Sequence, residues 1–100
     1  MKHVVLSADG DRMVYAVPNM VAEHLEAYCL AFCDVWLLSS PHAEKYRVCG
    51  GLCYCEEDFI AYLNQWLFPK EHSYLIENLG WIEFGEPLPE PYESCPWFNF

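Results

Sequence analysis

The most reactive side chains in this sequence are six cysteines: Cys29, Cys33, Cys49, Cys53, Cys55 and Cys95. Cys29 and Cys33 lie four positions apart, which places both thiols on one side of a helix. Cys49-Gly50-Gly51-Leu52-Cys53-Tyr54-Cys55 forms a second cluster. A structural zinc ion takes two close ligand pairs into a tetrahedron. Cys29, Cys33, Cys49 and Cys53 are therefore the candidate metal ligands, and they define an alternative reading as a metal- or redox-binding module. The favoured reading is different. The spacing fits no finger or ribbon pattern, and Cys29 and Cys33 also belong to an apolar stripe, where a thiol behaves as a small hydrophobe. The expectation is six free thiols, with no metal and no cofactor. A disulfide framework would suit an exported chain. The only early apolar run is Val4 to Leu6, short of the ~7–15 residues of an export signal. The expected compartment is the reducing cytoplasm.

Catalytic chemistry finds little to start from. A Cys nucleophile needs a base and an orienting group beside it, and no spacing pairs a cysteine with His3, His24, His42 or His72. Gly50-Gly51 lacks the offsets of a phosphate-binding loop. Glu56, Glu57 and Asp58 point in different directions on a helix, so they suit the positive end of its dipole better than a shared cation. No catalytic residue is assigned. A small enzyme with a Cys or carboxylate centre stands as a third reading.

Charge is the less ordinary feature. Fifteen acidic residues against five basic ones leave a net charge of -10 on 100 residues. That field opposes unaided binding to nucleic acid or to an anionic membrane. It also exceeds the ~2–8 that keeps a small domain soluble. After Lys70 there is no Lys or Arg, while Glu71, Glu77, Glu83, Glu86, Glu90 and Glu93 follow. Gly85 to Pro91 is rich in proline and reads as extended chain, which would hold Glu83, Glu86, Glu90 and Glu93 about 10 Å apart. Trp81, Tyr92 and Trp97 stand among them as anchors of the type that dominates protein interfaces. These seven residues are the candidate partner-binding set. The partner they imply is a basic protein, including one whose groove normally holds nucleic acid, and the function they imply is that of an inhibitor, immunity or regulatory protein.

The elements that must position these groups form one α+β domain over residues 1–100, with a body of 1–84 and an extended, Pro-rich 85–100 docking back on it. Residues 3–8 and 13–17 are β-prone, and Asp9-Gly10-Asp11 suits the turn of a hairpin. A helix over 19–38 follows Pro18 and carries Cys29, Phe32, Cys33 and Trp36 on its apolar face. Ser39-Ser40-Pro41 ends it and opens a short helical turn. Tyr46 to Tyr54 suits a hairpin or a loop around Gly50-Gly51. A second helix over 56–68 buries Phe59, Ile60, Leu63, Trp66 and Leu67 and stops at Pro69. Ser73 and Gly80 bracket an expected third helix over 74–79, and Trp81 to Phe84 is an expected last strand. Cys29, Phe32, Cys33, Trp36 and Leu63 are the expected core.

Overall fold

The computed structural model describes residues 1–100. Strands β1 (Lys2–Ser7) and β2 (Arg12–Val17) form the antiparallel N-terminal hairpin. The chain reverses through Asp9 at φ 55°, a left-handed conformation that Asp tolerates better than most residues. Val4 lies opposite Tyr15 and Val5 opposite Val14. Because side chains alternate across a strand, Val4, Leu6, Tyr15 and Val17 face the helices and enter the main core, whereas Val5 and Val14 face the other way.

The expected first helix is present but segmented. Helix α1 (Asn19–Glu23) starts after Pro18, breaks at His24 (φ -133°, ψ 42°), and resumes as α2 (Leu25–Leu30). The chain then widens into a π-helix over Ala31–Trp36 and tightens again in α3 (Leu37–Ser39). Ser40 accepts a hydrogen bond from the His42 N–H at 3.1 Å and opens a 3-10 helix, Pro41–Tyr46. Strands β3 (Arg47–Val48) and β4 (Gly51–Leu52) form a small hairpin. Its two-residue turn places both Cys49 and Gly50 at positive φ, as a primed hairpin turn requires. Helix α4 (Glu56–Tyr62) begins with the Cys55 N–H donating to Asp58 Oδ2 at 2.8 Å, the carboxylate half of a capping box. It too passes into a π-helix, Leu63–Leu67, closed by the Phe68 N–H bonding to the Leu63 carbonyl at 2.7 Å. Phe59, Ile60 and Leu63 of its expected stripe are buried, but Trp66 and Leu67 are exposed, because the wider π-turn carries them off the buried face.

Residues 74–79 are not a helix. They lie in β5 (Tyr74–Gly80), antiparallel to β2. Ser73 does not cap: the Asn64 amide grips its backbone, donating to the Ser73 carbonyl at 3.0 Å and accepting from its N–H at 2.7 Å. That clamp and the open edge of β2 override the local helical signal. Trp81–Phe84 is likewise no strand. Gly80 turns the chain at φ 75°, and the Glu86 N–H bonds to the Glu83 carbonyl. The segment thought to run extended folds as successive turns, with Tyr92 bonded to Pro89 and Cys95 to Tyr92 through their backbones. The last strand is β6 (Trp97–Asn99), parallel to β1. The sheet order is β5-β2-β1-β6.

The main core lies between the sheet and the helices, where Phe32 meets Trp36, Tyr54, Phe59, Tyr62 and Phe100. Cys29, Phe32 and Leu63 are fully buried. Cys33 and Trp36, expected beside them, are only half-buried. The π-helix is the reason. Its i→i+5 bonds bring Phe32 and Leu37 to the buried face, and the four-residue spacing of Cys29, Cys33 and Leu37 no longer defines one stripe. On the opposite face of the sheet, a smaller cluster of Val5, Val14 and Tyr92 holds the turn segment, with Leu79, Leu88 and Cys95 against it.

Candidate functional site

The turn segment encloses a cleft of about 290 Å³ on the sheet face away from the helices. Val5 and Trp97 form its floor, Ile82, Phe84 and Leu88 its apolar walls, and Glu83, Glu86 and Glu93 bring three carboxylates to it. The one cation in the lining is Arg12. Its guanidinium donates to Ser7 Oγ at 2.8 Å and stands 5.9 Å from the Trp97 ring centroid. Ser7 Oγ in turn donates to Asn99 Oδ1 at 2.8 Å, so β1, β2 and β6 together fix Arg12 and the indole it faces.

Of the seven residues singled out by sequence, the cleft gathers Glu83, Glu86, Glu93 and Trp97. Trp81 stands beside them, exposed, with its Nε1 donating to Glu83 Oε1 at 3.2 Å. Glu90 is exposed outside the lining. Tyr92 is no surface anchor: its ring is buried against the sheet and its hydroxyl donates to Glu77 Oε2. That hydrogen bond, with burial and the same carboxylate's charge, raises the Tyr92 phenol above its ordinary value. The sequence reading missed Arg12 and Phe84. Phe84 is 87% exposed, and a lone large aromatic between two glutamates was the available signal for it. Arg12 was hidden because only the sheet brings it to Trp97.

Fifteen acidic residues form one ion pair, Lys2 with Glu23 at 3.6 Å between exposed side chains. None of the three cleft carboxylates is engaged in an ion pair. With aromatic and aliphatic walls beside them, they can receive a cation on an apolar stem: the charge meets carboxylate, and a flat guanidinium can lie on an indole face.

The candidate metal ligands are not brought together. Cys29 is buried in the core, Cys33 is half-buried and bonded to Asp34 Oδ1 at 3.7 Å, and Cys49 and Cys53 are exposed on the β3–β4 hairpin. No three of the His, Cys, Asp and Glu side chains gather around a common point. All six cysteines are free thiols. Burial, then the neighbouring Cys33, pushes the Cys29 thiol far above its ordinary value, which keeps it protonated and unreactive. No helix is long and apolar enough to cross a membrane.

No family model, curated relative or solved structure matches this chain.

Proposed function

We propose that this chain is a non-catalytic protein-binding module that inhibits or regulates a basic partner, receiving an arginine or lysine side chain of that partner in the acidic cleft. The observation that carries this reading is the convergence of Glu83, Glu86 and Glu93 on a 290 Å³ cleft floored by Trp97. A net charge of -10 steers a basic surface toward the chain, and steering of this kind raises association rates more than it raises final affinity. The apolar walls supply what charge alone lacks. Where the partner normally holds nucleic acid, the carboxylates take the place of phosphates in its groove.

An arginine-rich peptide is the direct probe. Calorimetric titration at 50 and 300 mM salt should show affinity falling steeply as salt rises, because the Debye screening length shortens across that range. The triple variant Glu83→Lys, Glu86→Lys, Glu93→Lys should lose about 10–100-fold in affinity at low salt, each reversal converting a modest attraction into a repulsion. Its melting temperature should stay close to the parent's, since all three side chains are exposed. Binding indifferent to salt, or unchanged by the reversals, would leave the carboxylates with a solubilising role alone.

A further inference from the structure

A second cleft, of about 280 Å³, opens on the helical side of the molecule. Both π-helices contribute to it. Trp36 comes from the last position of the first, Gln65 and Trp66 from the second, and the 3-10 helix adds His42, Lys45 and Tyr46. A π-turn is a costly local departure from the α-helix and is frequent at functional sites. Here both contribute an indole to the lining of one cavity. The rings are already ordered: His42 stacks on Trp66 with centroids 4.2 Å apart, Trp36 lies 4.9 Å from Tyr62, and Lys45 Nζ stands 5.1 Å from the Tyr46 ring.

The charge of this lining runs against the rest of the chain. Its one charged residue is Lys45, and it has no carboxylate, in a protein with three times as many acidic as basic residues. A cation partner is therefore poorly served here. A flat ring bearing a negative group is well served, because it can stack on the indoles while its anion meets the Lys45 ammonium. Size narrows the ligand further. A cavity of about 150 Å³ encloses benzene, so about twice that volume suits two fused rings or one ring with its acidic substituent.

We propose that this cleft is a binding site for a small planar aromatic anion, an aromatic carboxylate or a compound of similar shape and charge, held between the Trp36 and Trp66 indoles and paired with Lys45. The site is separate from the acidic cleft and its occupancy does not depend on the protein partner.

The test is calorimetric titration of the whole chain with three probes of one shape: 2-naphthoate, its neutral alcohol 2-naphthylmethanol, and the cation 2-naphthylmethylammonium. A compound of this size should bind with a Kd of about 1 mM or tighter. The naphthoate should bind most tightly, and the neutral alcohol about tenfold more weakly. Lys45→Glu should remove the preference for the anion while leaving the alcohol's affinity in place. Trp66→Ala should weaken all naphthyl binding by about tenfold or more. Trp66 is 41% exposed, so this variant should fold, and Trp66→Phe should restore part of the affinity. Trp97→Ala, in the other cleft, should change nothing. Equal affinity for the three probes, naphthoate binding that survives Trp66→Ala and Lys45→Glu, or no binding at 5 mM naphthoate would overturn the proposal.

Discussion

The two clefts are nearly equal in volume and opposite in almost every other respect. One is built from turns on the outer face of the sheet, where Phe84 and Trp97 stay exposed and three carboxylates set the charge. The other is built on helices over the main core, where Trp36 and Tyr62 touch the rings that bury Phe32. A wall of turns with few buried contacts can adapt to a large partner and contributes mainly through its field. A wall of rings locked by packing is preorganised and selects by shape. Under the two proposals, charge sets the selectivity of one cleft and fit that of the other, one on each side of the sheet.

The largest expected effect comes from the ring cluster. Phe32→Ala removes the residue that meets five other aromatic side chains and should cost ~3–5 kcal/mol. At about 4–8 °C per kcal/mol for a domain of this size, the melting temperature should fall by well over 10 °C. Below that temperature, naphthoate binding should be lost while the arginine peptide still binds. Loss of both would mean the clefts are not independent. Trp36→Ala, at a half-buried position, should cost less, about 2 kcal/mol.

Charge reversal is the converse experiment. The Glu83, Glu86, Glu93 triple reversal should abolish most peptide affinity, as above, and leave naphthoate binding within about twofold. A large change in naphthoate affinity would show that the field of one cleft reaches the other.

Alkaline titration reads the packing under the aromatic cleft. Burial, with the charges of Glu56, Glu57 and Cys55 behind it, pushes the Tyr15 phenol up to about 12 from an ordinary 10.0. Burial also raises Tyr62, and it raises the Cys29 thiol from an ordinary 9.0. The folded state holds these protons more tightly than the unfolded chain does. Stability is therefore full below about pH 9 and declines as pH rises through the thiol and phenol range. The urea midpoint should be level between pH 7 and 8.5 and lower at pH 10.5. A level midpoint throughout would place these side chains in contact with water.

The smallest effect expected is at Arg12. Arg12→Ala deletes the lone cation of the acidic cleft, and the arginine peptide should bind about two- to fivefold more tightly. Weaker binding would instead assign Arg12 to positioning Trp97.

How far the sequence revealed this depends on whether the signal was local. The hairpin was legible because Asp9-Gly10 sits between two β-branched runs, and both main helices were legible from their apolar periodicity. Tyr74–Gly80 was not, because Ser73, Leu75, Ile76, Leu79 and Gly80 imitate a capped helix and only Asn64, nine positions away, decides otherwise. The acidic cleft was half legible. Its glutamates were visible as a run, but Arg12 and Val5 arrive from the far end of the chain. The aromatic cleft was hidden, since the π-turns that aim Trp36 and Trp66 leave no pattern at α-helical spacing.

The pairing of β6 with β1 has a consequence for biosynthesis. Ser7 and Asn99 are hydrogen-bonded across 92 positions, and closing a loop of that length costs about 4 kcal/mol in chain entropy. Until residues 97–99 leave the ribosome, β1 has one bare edge, ready to accept any passing strand. At ~5–20 residues per second, the hairpin waits several seconds for the segment that covers it. Final assembly is thus a late event, and a nascent chain stalled near residue 90 would be the form most prone to aggregate and most in need of a chaperone.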